Sequence, residues 1–105
     1  MTKPILIVGG GPAGLAAAHS LATFGQPCIL VEKADRLGGA PILEGYAKLV
    51  PSGEWARDAI GGMVARVEQN PLVTIHQDRT VKEFRGEPGA FQATLSHGET
   101  CEVGA

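Results

Sequence analysis

The chain has 105 residues, of which 44% are apolar and 19% charged, with 15 glycines and a net charge of −2. This length suits one small domain, and the composition is typical of a folded globular protein rather than a disordered one. The charge gives no attraction for nucleic acid or an anionic membrane surface, and no apolar run approaches the roughly 18 residues of a membrane span. Because the N-terminus lacks the layout of a signal peptide, the cytoplasm is the expected compartment.

Residues 4–32 predict a βαβ unit. The unbroken apolar run at residues 5–8 is typical of a parallel strand buried on both faces. Three glycines follow it, and then Pro12 opens a stretch rich in Ala and Leu, where proline is favoured at the first helical position. Gly25 predicts the end of this helix, and a second apolar run at residues 28–31 predicts the next strand. We expect the two strands to be parallel and joined by a right-handed crossover.

Residues 33–70 predict an irregular loop followed by a second helix. Ser52 is a candidate N-cap for this helix, and Asn70-Pro71 marks its end. Gly61 and Gly62 weaken it by roughly 1 kcal/mol each. Apolar residues at helical spacing give it one buried face: Trp55, Ala59, Ile60, Met63, Val64 and Val67.

Residues 71–103 predict one further strand and an antiparallel meander. Val73 and Ile75 alternate with polar neighbours, which is typical of a strand. Three more short strands are separated by tight turns rich in glycine, and such spacing favours a meander. The strands are expected at residues 80–85, 90–96 and 99–103, and the turns at 86–89 and 97–98.

The first strand and helix are joined by the pattern G-x-G-x-x-G, formed by Gly9, Gly11 and Gly14. In a dinucleotide-binding turn the first glycine makes the tight turn, the second lets a pyrophosphate approach the backbone, and the third lets the helix pack closely on the strand. Free N–H groups and the positive end of the helix dipole, at Pro12 and Ala13, then face the phosphates. The pattern therefore predicts a nucleotide site, although a plain strand–helix turn would show the same three glycines.

A carboxylate, Glu32, ends the second strand. Seventeen residues separate it from Gly14, close to the spacing of about 20 that such sites have. A carboxylate there can accept hydrogen bonds from both ribose hydroxyls and would repel a 2′-phosphate, which argues against NADP. We expect Glu32→Ala to weaken cofactor binding and to leave the fold intact. Lys33 and Arg36 follow, and each is either solvated or within reach of adenine or phosphate.

These motifs resemble the FAD domain of glutathione-reductase-like flavoproteins. The similarity covers residues 8–18, then residues 31–33, and then Leu37-Gly38-Gly39. It implies that FAD is the cofactor, that the strand-ending glutamate holds the adenosine ribose, and that Gly38 and Gly39 lie beside the FAD. It also implies a meander in place of a crossover helix, with the backbone of Val81 bracketing the adenine.

A narrower resemblance connects the chain with the A subunit of heterodisulfide reductase. It is carried by residues 70–75, by Thr80-Val81, by the spacing of Gly86, Gly89 and Phe91, and by residues 48–51. The cysteines that such proteins often have after the Gly-Gly pair are missing, since residues 40–70 contain no Cys. We therefore expect neither a flavin–disulfide relay nor an iron–sulfur ligand set in this segment.

The sequence thus predicts an α/β fold, in which residues 1–105 form a truncated three-layer ββα Rossmann-like domain. Helices would cover one face of a small parallel sheet and the meander the other. The expected function is to bind the ADP part of FAD in a larger oxidoreductase that moves electrons from NAD(P)H or an iron–sulfur partner to an acceptor. No catalytic residue and no metal ligand is expected here. The alternatives are an NAD-binding Rossmann domain and a non-catalytic nucleotide-binding or assembly module. A sheet edge left open after residue 105 is expected to promote self-association.

Overall fold

The computed structural model describes residues 3–38 and 56–105. The predicted N-cap Ser52, the apolar residue Trp55 and the resemblance at residues 48–51 lie outside the described residues, as does Gly39. In chain order the elements are β1 (Ile5–Val8), α1 (Pro12–Thr23), β2 (Cys28–Glu32), α2 (Ala56–Gln69), β3 (Val73–Gln77), β4 (Val81–Glu87), β5 (Ala90–Leu95) and β6 (Thr100–Val103).

The first three strands form a parallel sheet in the order β1-β2-β3. Cys28 of β2 lies opposite Ile5 on one side and Val73 on the other, so β2 is the central strand. Its residues are almost all buried, because a central parallel strand is covered on both faces. All three strands run in the same direction. Val8, Glu32 and the end of β3 therefore lie together at the carboxyl end of the sheet.

The two helices pack against this sheet through small and branched side chains. Leu15, Ala18 and Ala22 follow one another at helical spacing on α1 and form the core with Leu30 of β2 and Val67 of α2. Fully burying a side chain such as Leu15 stabilises the fold by roughly 1.5–3 kcal/mol. Met63 and Val64, also on the predicted apolar face of α2, are partly buried against the same cluster. Neither helix in residues 3–38 and 56–105 is long and apolar enough to cross a membrane.

The last three strands form the predicted antiparallel meander, in the order β4-β5-β6. Its first hairpin is tighter than the sequence indicated. Residues 86 and 87 were expected in the turn, but they belong to β4, and only Pro88 and Gly89 connect the strands. The strand can continue through Gly86 because its φ of +119° is accessible to glycine, and a two-residue connection is the commonest form of hairpin.

Gly104 and Ala105 border one side of the parallel sheet. The N–H of Gly104 donates to the carbonyl of Pro4 at 2.9 Å, and the N–H of Leu6 donates to the carbonyl of Ala105 at 2.9 Å. An open sheet edge was expected, and these two bonds cover part of the outer edge of β1. In the part of the chain that the structure describes, the remaining length of that edge has no hydrogen-bonded neighbour and offers main-chain groups for pairing.

Candidate functional site

The glycine turn after β1 has the geometry that the sequence pattern predicts. Gly9 has a φ of +107°, which side-chain-bearing residues rarely adopt, and its N–H donates to the carbonyl of Val31 at 2.8 Å. A Cβ atom on Gly14 would overlap the carbonyl oxygen of Gly9 and lie 3.0 Å from its carbonyl carbon. The structural tasks predicted for these two glycines, a tight turn and a close helix–strand approach, are therefore confirmed.

Gly11 differs from Gly14, because the described residues leave open space around it, as they do around Gly9. It is the N-cap of α1, with a φ of −80°, and a Cβ built on it would meet no atom within 4 Å. Within residues 3–38 and 56–105 no side chain caps α1, and its first turn contains no acidic residue. The open space therefore faces a helix terminus whose first N–H groups have no side-chain partner, with Pro12 and Ala13 at its start. This arrangement fits an anionic pyrophosphate.

Glu32 is a buried carboxylate at the carboxyl end of the parallel sheet. The residue is only 8% exposed. Its Oε1 accepts a hydrogen bond from the N–H of Gly10 at 2.6 Å, and its Oε2 accepts one from the N–H of Ala34 at 2.7 Å. Hydrogen bonds to a charged group are short and strong, so the carboxylate has a fixed position. Each oxygen keeps acceptor capacity for a further donor, such as a ribose hydroxyl.

Gly10 is part of the candidate site, although the sequence analysis did not identify it. Its N–H holds Glu32, and its carbonyl accepts a hydrogen bond from the N–H of Gly38 at 2.7 Å. A Cβ on Gly10 would lie 2.6 Å from Cδ2 of Leu37 and 3.2 Å from Oε1 of Glu32. The signal available was the run of three consecutive glycines, because the dinucleotide pattern needs only the first and third of them. Gly38 therefore braces the glycine turn with its amide.

A cleft of about 390 Å³ opens beside Glu32. Four of the predicted cofactor residues line it, namely Gly9, Glu32, Lys33 and Val81. The rest of its lining comes from Val8, Val31, Arg79 and Thr80. The other described candidates do not line this cleft: Gly11, Pro12, Ala13, Gly14 and Gly38. The predicted residues thus divide into a group around the cleft and a group around the helix start, joined by Gly9 and Gly10.

Arg79 and Thr80 are also cleft residues that the sequence reasoning missed. Arg79 donates from Nε to Oε2 of Glu99 at 2.5 Å, which makes an ion pair across 20 residues of chain. That hydrogen bond holds the pKa of the Glu99 carboxyl below its usual value, and the nearby charges of Arg79 and His97 act in the same direction. No motif marks such a pair in advance, because the two residues meet only after the meander has folded.

The two cysteines are free thiols. Cys28 is buried in β2, and burial raises the pKa of its thiol; burial also raises the pKa of Cys101, with a smaller contribution from the charge of Glu99. Among residues 3–38 and 56–105, no three side chains of His, Cys, Asp or Glu are grouped so that they could hold a metal ion. Cys28 packs as a small apolar residue, as its place in the strand predicts.

Comparison with known proteins identifies the family of the chain. A family model described as FAD dependent oxidoreductase matches residues 4–97. The chain is 30% identical over 94 residues to the A subunit of the ferredoxin/F420H2-dependent CoB-CoM heterodisulfide reductase of Methanosarcina acetivorans, which is 90% of this chain and 12% of that protein. It is 33% identical over 93 residues to the iron-sulfur A subunit of the CoB-CoM heterodisulfide reductase of Methanocaldococcus jannaschii, covering 89% of this chain and 14% of that protein. The chain therefore spans about an eighth of these curated relatives, and the predicted likeness to heterodisulfide reductase is confirmed.

Solved structures share the fold. The L-proline dehydrogenase from P. horikoshii superimposes with a TM-score of 0.80 at 23% identity, over 98% of this chain and 21% of the dehydrogenase. The thioredoxin reductase of Lactococcus lactis gives a TM-score of 0.79 at 18% identity, over 99% of this chain and 34% of the reductase. The predicted Rossmann-like α/β fold, with a small parallel sheet and a meander, is confirmed.

Proposed function

Because the chain belongs to the FAD-dependent oxidoreductase family, we propose that it binds the ADP half of FAD at the carboxyl ends of its parallel strands. The observation that carries the proposal is the buried carboxylate of Glu32, fixed by two main-chain N–H groups at the mouth of the glycine turn. A buried carboxylate is costly unless its oxygens are hydrogen-bonded, so its place beside a cleft favours a ligand with hydroxyl donors.

In this proposal each part of the ADP group has its own residues. Glu32 accepts hydrogen bonds from the ribose hydroxyls, and the backbone of Val81 borders the adenine. Lys33, which is exposed at the cleft, offers a positive charge to the nucleotide. The pyrophosphate lies against the glycine turn and the helix start, and the assigned residues there are Gly9, Gly11, Pro12, Ala13, Gly14, Gly38 and Gly39.

The role of the whole protein is a further part of the proposal. The chain would form the first, partial FAD-binding domain, residues 1–105, of an oxidoreductase that transfers electrons from NAD(P)H or an iron–sulfur partner to an acceptor. The bound flavin supplies the redox chemistry, whereas the residues of this chain bind and orient it. We place the protein in the cytoplasm, where free thiols such as Cys28 and Cys101 persist. An NAD-binding Rossmann domain is not favoured, because the family match and the meander both favour FAD.

The ribose role can be tested with ligands rather than with mutations alone. We expect ADP and FAD to bind in isothermal titration calorimetry, and FAD to displace ADP more effectively than NAD does. The ligand 2′-deoxy-ADP lacks one hydroxyl, and losing a hydrogen bond to a charged acceptor costs about 1.5–3 kcal/mol, or roughly 10- to 150-fold in affinity. Adenosine 2′,5′-bisphosphate should bind least well, because its 2′-phosphate would face the carboxylate.

Two variants make this test specific. Glu32→Gln removes the charge and should reduce the preference for ADP over 2′-deoxy-ADP. Asp35→Asn is the matched control, since Asp35 is an exposed carboxylate three residues further on. It should leave the preference unchanged. Equal affinity of the wild-type chain for ADP and 2′-deoxy-ADP would refute the ribose role, and absence of both ADP and FAD binding would refute the proposal.

We also propose that the chain self-associates along the uncovered part of the β1 edge. The support is that, within residues 3–38 and 56–105, the hydrogen bonds along this edge are those of Pro4 and Leu6 to Gly104 and Ala105. Neither nucleic acid nor a membrane is part of the proposal, because the net charge is −2. Light scattering should show an average mass that rises with protein concentration, and a constant monomer mass up to millimolar concentration would contradict this.

A further inference from the structure

The segment that joins β3 to β4 forms one wall of the cleft and is attached to the strand end that carries Glu32. The N–H of Arg79 donates to the carbonyl of Glu32 at 3.0 Å, and the N–H of Asp78 donates to the carbonyl of Ala34 at 2.8 Å. These bonds continue the pairing of β2 with β3 beyond the sheet. A shift of this segment would therefore change the distance between the two walls of the cleft.

The side chain of Arg79 holds this segment in place. Its Nη1 donates to the carbonyls of Gln77 at 3.1 Å and Asp78 at 3.0 Å, while its Nε donates to Oε2 of Glu99 at 2.5 Å. Asp78 has a φ of +56°, in the left-handed region that few non-glycine residues adopt, so its backbone needs such support. An isolated surface ion pair contributes little, but here one planar guanidinium joins three acceptors with a partly buried side chain.

Glu99 connects this segment to the meander. It lies between β5 and β6, and the same hairpin is bonded to the segment through Ser96. The N–H of Ser96 donates to the carbonyl of Thr80 at 2.8 Å, and the N–H of Thr80 donates to Oγ of Ser96 at 3.1 Å. Val81, which borders the cleft, follows directly. Arg79 therefore bonds to both walls: to the Glu32 wall through its backbone and to the Val81 wall through Glu99.

We propose that Arg79 is a positioning residue that sets the spacing between these two walls and thereby makes the cleft selective for adenine over other purines. The inference rests on the proposed function. Hydrogen bonds to a base edge weaken steeply when distances or angles change, so base selectivity depends on where Val81 stands relative to the ribose. The ribose acceptor itself does not depend on the side chain of Arg79, because the carboxylate of Glu32 is held by the N–H groups of Gly10 and Ala34.

The experiment compares ligand ratios instead of single affinities. By calorimetry, the wild-type chain should bind ADP about tenfold more tightly than inosine diphosphate, the effect of one well-formed hydrogen bond. Arg79→Met keeps the length of the side chain and removes the guanidinium. The variant should bring the ratio of ADP affinity to inosine diphosphate affinity close to one. The ratio of ADP affinity to 2′-deoxy-ADP affinity should stay unchanged. A merely structural role would lower all affinities in parallel and leave both ratios as they are.

Two further variants keep the test decisive. Glu99→Gln removes the charge but retains an oxygen that can accept from Nε, and Oε1 of Glu99 has no hydrogen-bond partner in the described part of the chain. This milder variant should lower the ratio of ADP affinity to inosine diphosphate affinity, but less than Arg79→Met does. It replaces Arg79→Met if that variant does not fold. Arg85→Met is the matched control, because Arg85 is an exposed arginine on β4 that pairs with Glu83 and does not line the cleft. It should leave the ratio of ADP affinity to inosine diphosphate affinity unchanged.

The failures can be told apart. A wild-type chain that binds no ADP overturns the proposed function and this inference with it. A wild-type chain that prefers ADP to inosine diphosphate, together with an Arg79→Met or Glu99→Gln variant whose ratio is unchanged, overturns the inference alone. A parallel loss of all affinities in these variants also overturns it.

Discussion

The sharpest prediction concerns two glycines, three residues apart, to which the same methyl group can be added. In Gly14→Ala the new Cβ would overlap the carbonyl oxygen of Gly9, which is main chain and cannot rotate away. The Gly9 turn is itself fixed by its hydrogen bond to Val31. In Gly11→Ala the Cβ would enter open space, at a φ of −80° that any residue adopts. We therefore expect the first variant to lose stability and the second to lose binding.

The magnitudes follow from these contacts. Overpacking costs about 1–3 kcal/mol, and a rigid main-chain neighbour indicates the upper end, whereas alanine gains about 1 kcal/mol over glycine inside a helix. The free energy of unfolding of Gly14→Ala should therefore fall by about 2 kcal/mol. For a chain of this size that lowers the melting temperature by roughly 8–16 °C. Gly11→Ala should lose less than about 1 kcal/mol, the usual effect of alanine at an N-cap. Its methyl group would meet the pyrophosphate and should weaken ADP binding by about tenfold or more.

Thermal unfolding followed by circular dichroism measures the first effect, and calorimetry with ADP measures the second. Each variant serves as the other's control, because both add one methyl group to the same motif. A Gly14→Ala chain as stable as the wild type would refute the packing argument. A Gly11→Ala chain that binds ADP normally would show that the space beside this residue is not used by the ligand.

Three further predictions concern ionisable and thiol groups. Glu32→Ala removes the acceptor of two N–H groups, those of Gly10 and Ala34, so urea unfolding should show that the free energy of unfolding falls by roughly 1–3 kcal/mol for each; an unchanged midpoint would show that these two bonds do not stabilise the fold. The folded pKa of Glu99 is lowered chiefly by the hydrogen bond from Arg79, so its contribution to stability is present above its unfolded pKa and disappears as the pH falls through the folded pKa. Glu99→Gln should therefore flatten the acid side of a plot of stability against pH, and an unaltered slope would argue against the pair. Since burial raises the pKa of Cys28, its thiol should react with a disulfide reagent at pH 8 far more slowly in the native chain than in urea; equal rates would show that β2 is not protected.

The parts of the fold that sequence predicts well are those written in local patterns. The apolar runs of β1 and β2 and the stretch of Ala and Leu that follows Pro12 in α1 each depend on residues a few positions apart, and the structure confirms the elements that they predict. The end of β4 was predicted two residues too early, because glycine and proline near residues 86–89 are equally compatible with a turn and with a strand that passes through Gly86. Local propensity cannot separate these cases, since the pairing of Gly86 with Phe91 decides between them.

In the candidate site, too, the residues set by local patterns could be predicted and those set by long-range contacts could not. Gly9, Gly14 and Glu32 could be found because their spacing in the chain follows from the geometry of one βαβ unit. Gly10 and Arg79 were missed for a different reason. Their roles depend on contacts with Glu32 and Glu99, which are 22 and 20 residues away in sequence. No spacing rule encodes such contacts, and only the folded chain brings the partners together.

The two missed residues change how the carboxylate of Glu32 should be understood. Gly10 and Ala34 hold its oxygens, and Arg79 binds its carbonyl, so the side chain and the backbone of Glu32 are both fixed before a ligand arrives. Binding then requires little ordering of the site, and ordering a mobile side chain costs about 0.5–1.5 kcal/mol. A side chain at residue 10 would disturb this fixed arrangement, because its Cβ would come too close to both Leu37 and Oε1 of Glu32. The glycine turn and the carboxylate therefore act as one unit, in which the turn that would receive the phosphates also positions the group that would hold the ribose.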